Sequence, residues 1–79
     1  MYWVYIIENP EGIYYKGYTQ DVEKCVNEHN NNESRYTSDK GPWKLVYKHS
    51  YLTKTEALKE ERRLKRLNTK SLKKLIEEG

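Results

Sequence analysis

Residues 2–19 read YWVYIIENPEGIYYKGYT, and this stretch predicts a β-hairpin that organises the rest of the chain. Two runs rich in aromatic and β-branched residues, which are typical of strands, flank a turn at residues 9–12. Pro10 fixes φ at the second turn position, and Gly12 provides a permissive fourth position. The fold is therefore expected to begin with two neighbouring antiparallel strands.

Tyrosines are concentrated in this hairpin, with Tyr5 in its first strand and Tyr15 in its second. They have two interpretations: tyrosine suits the faces of sheets, or two hydroxyl groups are directed at one site. Side chains alternate between the faces of a strand, so the alternation predicts which residues lie together. The predicted faces are Trp3, Tyr5 and Ile7 against Tyr2, Val4 and Ile6, then Ile13, Tyr15 and Gly17 against Tyr14, Lys16 and Tyr18.

Composition predicts one small domain spanning residues 1–79, with a modest hydrophobic core. The single cysteine, Cys25, excludes an intramolecular disulfide and a zinc site built on cysteines. The longest apolar run, within residues 2–7, is too short to be a signal peptide or a membrane span. A soluble cytoplasmic protein is therefore expected.

Positive charge is concentrated between residues 54 and 74, which carry nine cationic and three anionic side chains. Such a segment is typical of a surface that binds a polyanion, most often nucleic acid. The alternative is a solvated helix face with Glu–Lys pairs.

The segment after the hairpin predicts a helix, with Thr19 as the N-cap and an end within residues 30–34. Its apolar stripe has helical spacing and consists of Val22, Cys25, Val26 and His29. A long polar connection follows, in which Arg35, Tyr36, Thr37, Ser38 and Lys40 are candidates for contacts with a phosphate backbone.

Residues 43–51 predict a third strand, in which Trp43, Leu45 and Tyr47 alternate with Lys44, Val46 and Lys48. Thr53 and Glu56 then form a capping box at the start of a helix that runs to about Leu67. Residues 68–69 separate it from a short terminal helix. The order β-β-α-β-α-α predicts an α+β fold in which three helices flank a small three-stranded antiparallel sheet.

Glu61 falls within the apolar stripe of the second helix, between Leu58 and Leu64. A carboxylate there must be paired, protonated, at the edge of the stripe or bound to a metal. An ion pair with a neighbouring arginine or lysine is the expectation from the residues alone.

Taken together, these motifs resemble the GIY-YIG nuclease superfamily, and the likeness is closest to its small stand-alone bacterial members. It also extends to the catalytic domain of the nucleotide-excision-repair incision subunit. The two signatures appear as residues 4–6 (VYI) and 15–17 (YKG), and residues 21–30, 36–37, 42–47 and 56–61 match in order and spacing. The resemblance covers essentially the whole chain. Lys16 departs from the usual apolar residue, and Cys25 stands where the resemblance calls for arginine.

The resemblance implies a DNA endonuclease that hydrolyses phosphodiester bonds with one divalent metal, Mg²⁺ or Mn²⁺. It implies that Glu61 binds the metal, that Tyr5 or Tyr15 acts as the base, and that His29 with the other tyrosine positions the water or phosphate. Nucleic acid would contact cationic side chains at Arg35, Lys40, Lys59, Arg62, Arg63, Lys65 and Arg66. Because Cys25 replaces arginine, the alternatives are an impaired nuclease, an inactive nucleic-acid-binding module and a protein-interaction domain.

Overall fold

The computed structural model describes residues 1–31 and 40–78, and the statements about structure below refer to those ranges. It confirms the predicted α+β architecture of three antiparallel strands in one sheet with three helices. The strand order is β2-β1-β3, so β1 is central. The elements are β1 (Tyr2–Glu8), β2 (Tyr14–Thr19), α1 (Val22–Asn30), β3 (Lys44–Tyr51), α2 (Lys54–Arg66) and α3 (Thr69–Glu78).

The turn between β1 and β2 forms as its sequence predicts. The Gly12 N–H donates to the Asn9 carbonyl at 3.0 Å, and Gly12 has a φ of +82°, which glycine adopts without steric cost. The buried Asn9 side chain also accepts from the Ile13 N–H at 2.8 Å. This turn sets a register in which Tyr5 lies opposite Gly17 and Ile7 lies opposite Tyr15.

The central strand is buried on both faces, and each face has its own hydrophobic cluster. On one face, Tyr5 and Ile7 pack with Trp43 and with the Val26 side chain of α1. The other face packs against α2 and α3, and its buried side chains are Val4, Ile6, Ala57, Leu64 and Leu72. The predicted division of β1 into two faces therefore places Tyr5 on the same side of the sheet as α1.

The alternation predicted for the third strand is wrong at one point. Leu45 pairs with Ile7 and packs on the α1 face, whereas Tyr47 pairs with Ile6 and packs on the opposite face. An irregularity in the register between Ile6 and Ile7 leaves Val46 as an extra residue in β3. A β-bulge of this kind reverses the facing of every residue beyond it.

The helix caps differ in part from the sequence expectations. The N-cap of α1 is Asp21, whose side chain accepts from the Lys24 N–H at 3.1 Å, so the prediction of Thr19 is wrong. Thr19 instead accepts from the Asp21 N–H and holds the capping residue in place. Thr53 caps α2 as predicted, accepting from the Glu56 N–H at 3.2 Å.

Two asparagine side chains hold the backbone on the C-terminal side of the polar connection. Asn30 donates to the Trp43 carbonyl at 3.1 Å and accepts from the Trp43 N–H. Asn9 donates to the Lys40 carbonyl at 3.1 Å. The predictions made for Arg35, Tyr36, Thr37 and Ser38 lie outside the described residues. None of the described helices is long and apolar enough to cross a bilayer.

Candidate active site

Tyr5 lies in the middle of β1, and its ring passes over Gly17 of the neighbouring strand. A Cβ atom at residue 17 would lie 2.7 Å from the Tyr5 Oη and 2.9 Å from its Cζ. These separations are shorter than real Cβ contacts allow. The glycine of the second signature is therefore required here because a phenol ring occupies the space over it.

The Tyr5 hydroxyl bonds two side chains of α1. Its oxygen lies 3.0 Å from His29 Nε2 and 3.0 Å from Cys25 Sγ, with the thiol as donor. If the thiol donates to Tyr5, the phenol O–H is directed to His29, whose Nε2 then accepts. The side chains of Cys25, Tyr5 and His29 thus form a directional chain of hydrogen bonds, in that order.

Burial determines the charge state of this chain. It lowers the pKa of the buried His29 imidazole, although the nearby Glu28 carboxylate acts in the opposite direction. Burial is also the main cause that raises the pKa of Tyr5 far above 10.0, and the contact with Cys25 and the charge of Glu61 add to it. Both groups are therefore neutral near pH 7, and Tyr5 does not rest as a phenolate.

Tyr15 completes a cluster of three rings contributed by two strands and a helix. Its ring centroid lies 4.9 Å from that of His29 and 6.4 Å from that of Tyr5, and both pairs are tilted. Tyr15 is half-buried, whereas Tyr5 and His29 are buried. The two signature tyrosines and the histidine are therefore brought together, with Tyr15 nearest to solvent.

Glu61 projects from α2, which packs against β1 and β2. Its side chain is only 13 % exposed, and its Oε1 accepts from the Lys65 ammonium at 3.1 Å. The expected ion pair of this stripe carboxylate is thus confirmed, with a lysine one helical turn later. α2 covers the face of the sheet opposite to Tyr5 and Tyr15, and the charge of Glu61 makes only the smallest contribution to the raised pKa of Tyr5.

The side-chain donors of the site suit a hard metal ion that keeps most of its water ligands better than an ion bound entirely by protein ligands. Within residues 1–31 and 40–78, no three His, Cys, Asp or Glu side chains are placed to hold one ion together. Mg²⁺ keeps several waters and often takes only one or two carboxylates from the protein. The mostly buried Glu61 carboxylate on α2 is the donor of this type at the position where the resemblance implies a metal ligand.

A surface hollow of about 260 Å³ opens beside Cys25, where the family resemblance calls for arginine. The thiol is half-buried at its wall. The hollow has room for a side chain longer than cysteine, and two of its lining residues are acidic. Besides Cys25, the lining residues are Thr19, Gln20, Asp21, Lys24 and Glu28.

The cationic side chains predicted to contact nucleic acid divide into two groups. Arg63 and Lys65 pair with Glu60 and Glu61 of their own helix. Arg35 lies outside the described residues, and all six others are exposed: Arg63 and Lys65 within their ion pairs, together with Lys40, Lys59, Arg62 and Arg66. The residues alone predict an ion pair of Glu61 with a neighbouring cation without naming Lys65, although a spacing of four residues on a helix is a signal for this pair.

Known proteins share both the sequence pattern and the fold. The family model described as the GIY-YIG catalytic domain matches residues 1–75. A UPF0213 protein of Staphylococcus saprophyticus is 39 % identical over 79 residues, covering 99 % of this chain and 96 % of that protein. A UPF0213 protein of Halobacterium salinarum is 42 % identical over 69 residues, covering 86 % of this chain and 90 % of that protein.

A solved structure agrees with the fold described above. The solution NMR structure of the UPF0213 protein BH0048 from Bacillus halodurans superposes with a TM-score of 0.63 at 33 % identity. The match covers 98 % of this chain and 84 % of that chain.

Proposed function

Because this chain belongs to the GIY-YIG catalytic domain family, we propose that it is a metal-dependent endonuclease that hydrolyses DNA phosphodiester bonds. The observation that carries the proposal is the 3.0 Å bond between the Tyr5 hydroxyl and His29 Nε2. Tyr15 packs against the same imidazole, and both tyrosines occupy the positions of the family signatures. Nuclease domains of this family generally depend on a divalent metal.

The neutral Tyr5–His29 pair supports a proton relay. An attacking water gives a proton to the Tyr5 oxygen while the phenol O–H proton passes to His29 Nε2. The hydroxide attacks phosphorus, and the leaving oxygen departs with the electron pair of its broken bond. In this scheme His29 is the final base, and the pKa of Tyr5 need not fall to neutrality because the phenol never stands as an isolated phenolate.

Glu61 would hold the divalent metal, with water molecules as its other ligands. When bound, the metal neutralises negative charge on the phosphate and on the leaving oxygen. The Lys65 ammonium, 3.1 Å from Glu61 Oε1, supplies a cation at the same place. We assign to Lys65 a contact with the substrate phosphate that partly replaces the absent arginine.

Cys25 makes this site weaker than one with arginine. A guanidinium close to Tyr5 would lower the pKa of the phenol and stabilise charge on the phosphate. The thiol provides neither effect, and losing one preorganised donor typically lowers a rate by about 10²–10³-fold. The hollow beside Cys25, with Asp21 and Glu28 in its wall, has space for the longer side chain.

The test compares cleavage by the natural protein, Cys25→Arg and Asn27→Arg, with Mg²⁺ or Mn²⁺ and branched, single-stranded and duplex DNA. Asn27 is exposed on the same helix, so its variant adds the same charge away from Tyr5. We expect slow cleavage by the natural protein, faster cleavage by Cys25→Arg and no gain from Asn27→Arg. Absence of cleavage by all three proteins on every substrate would refute the proposal.

A second candidate function is favoured by the surface of α2. Lys59, Arg62 and Arg66 are exposed there, and Cys25 stands where the resemblance calls for arginine. A nucleic-acid-binding module would keep the exposed cations of α2 and would tolerate a cysteine at residue 25. It predicts binding that weakens steeply with added salt, because phosphate contacts release counterions, and no cleavage in either the natural or the Cys25→Arg protein.

A further inference from the structure

We propose that Cys25 Sγ, His29 Nε2 and Tyr5 Oη form a binding site for a thiophilic metal ion of the Zn²⁺ class, and that occupation of this site inhibits the nuclease. The metal site rests on the side-chain geometry alone, whereas the inhibition rests on the function proposed above. This site is separate in its donors from the hard-metal position at Glu61. It depends on a thiol at the position where the resemblance calls for arginine, and its one cysteine ligand distinguishes it from the zinc sites built on several cysteines that the sequence excludes.

The three donor atoms are spaced as ligands of one ion. Cys25 Sγ lies 3.7 Å from His29 Nε2, and the Tyr5 oxygen lies 3.0 Å from each. Bonds of about 2.3 Å from zinc to sulfur and about 2.0 Å to nitrogen, at a tetrahedral angle, place S and N about 3.5 Å apart. With a metal–oxygen bond of about 2.0 Å, the Tyr5 oxygen would lie about 3.3 Å from the nitrogen and about 3.5 Å from the sulfur. The observed triangle therefore needs adjustments of about 0.2–0.5 Å to hold an ion, with water in a fourth position.

The arrangement of the donors on the backbone is rigid. Cys25 and His29 are four residues apart on α1, the spacing at which two side chains of one helix reach the same ion. Tyr5 comes from the central strand of the sheet, where its neighbours on both sides along the chain are fully buried. Little conformational freedom remains to be lost on binding.

The charged residues around the hollow and its opening to solvent favour the binding of a cation at the thiol. The hollow that exposes the thiol is lined by Asp21 and Glu28, with Lys24 as the opposing charge. An ion entering through the hollow meets the thiol first, and the thiol and phenol protons are released to solvent as the metal–sulfur and metal–oxygen bonds form.

Occupation would stop the proton relay, because both its acceptor and its phenol become ligands. His29 Nε2 could no longer accept a proton, and the Tyr5 oxygen could no longer take one from water. Thiolate and imidazole ligands select zinc over magnesium, whereas carboxylate and water select magnesium. The same protein is therefore expected to be activated by Mg²⁺ and inhibited by low concentrations of Zn²⁺.

The test uses Co²⁺ as a spectroscopic substitute for zinc in the full chain, followed by displacement with Zn²⁺. We expect one equivalent of Co²⁺ to give a thiolate-to-metal charge-transfer band and visible bands of a tetrahedral ion. Cys25→Ser should abolish the charge-transfer band, and His29→Asn should weaken binding by more than about tenfold. His49→Asn is the matched control, because this exposed histidine lies outside the cluster, and its binding should equal that of the natural protein.

Circular dichroism of each variant establishes that it is folded. Absence of the charge-transfer band in the natural protein, or binding unchanged in the folded His29→Asn variant, would overturn the metal site. The spectrum does not depend on cleavage, so it decides the metal site even if the proposed nuclease activity fails. Cleavage that continues undiminished with the zinc site saturated would overturn the inhibitory role.

Discussion

Replacing Gly17 with alanine is predicted to force the Tyr5 ring out of the site. The new Cβ would lie 2.7 Å from Tyr5 Oη, whereas ordinary contacts begin near 3.4 Å, so the hydroxyl must retreat by about 0.7 Å. It cannot do so freely, because His29 Nε2 and Cys25 Sγ also hold it at 3.0 Å. The replacement therefore tests whether the Tyr5 ring packs over Gly17 while its hydroxyl bonds His29 and Cys25.

The expected cost follows from packing and hydrogen bonding. Overpacking a buried site typically costs about 1–3 kcal/mol, and each weakened hydrogen bond adds about 1 kcal/mol. Alanine offsets about 0.5–1 kcal/mol of this, because it is better suited than glycine to a strand interior. We expect Gly17→Ala to lower the free energy of unfolding by about 1–3 kcal/mol, measured by urea denaturation.

A double-mutant cycle with Tyr5→Leu isolates the contact. Leucine lacks all three Tyr5 atoms that approach Gly17 most closely, so Gly17→Ala should be nearly neutral in that background. The coupling between the two changes should be about 1–3 kcal/mol. If Tyr5→Leu unfolds the protein, Tyr5→Phe serves as the second background, because it removes only the closest atom. Gly17→Ala should then lower the free energy of unfolding by less than it does in the natural protein. Additive effects in both backgrounds would refute the assignment of Gly17 to the Tyr5 ring.

Three further predictions concern pH, capping and salt. Burial lowers the pKa of His29, so the unfolded chain binds more protons than the folded chain below about pH 6.5. The free energy of unfolding should therefore fall as pH decreases through this range. His29→Gln should reduce this dependence of the unfolding free energy on pH, as measured by urea titrations. Thr53→Ala removes the N-cap of α2 and should lower the free energy of unfolding by about 1 kcal/mol. Lys59→Gln should weaken binding of duplex DNA and reduce its log–log salt slope by about 1, as read by fluorescence anisotropy.

Each of these predictions has its own control and its own contrary result. A pH slope that is unchanged in His29→Gln would mean that other groups produce it. Thr55→Ala, at an exposed position inside α2, should leave stability nearly unchanged, and equal losses for the two threonines would contradict the capping assignment. DNA binding that does not respond to salt would contradict phosphate contacts by α2.

The sequence was sufficient to predict the fold because its signals are local. Alternating strands, a Pro–Gly turn and a capping threonine each act within a few residues. The α1 cap was missed because Thr19 and Asp21 both have capping side chains, and the choice depends on where β2 ends. The bulge at Val46 was missed because register depends on β1, which no local pattern in β3 encodes.

The site could be assembled from the sequence only as a set of residues. The resemblance grouped Tyr5, Tyr15, His29 and Glu61, and the structure shows the hydrogen bond and ring contacts that join the first three. The charge states could not be predicted, because they depend on burial created by the whole fold. The contact between Cys25 and Tyr5 likewise requires α1 to pack on the sheet, which no spacing along the chain determines.

The most direct measurement of the central claim is DNA cleavage by Glu61→Gln and Glu60→Gln, made in whichever of the natural and Cys25→Arg proteins cleaves faster. The two glutamates are neighbours on α2, and both form ion pairs within that helix, but only Glu61 stands at the position where the resemblance implies a metal ligand. We predict that Glu61→Gln lowers the single-turnover rate by at least about 10²-fold, while Glu60→Gln leaves it nearly unchanged. Equal rates for the two variants would contradict the account.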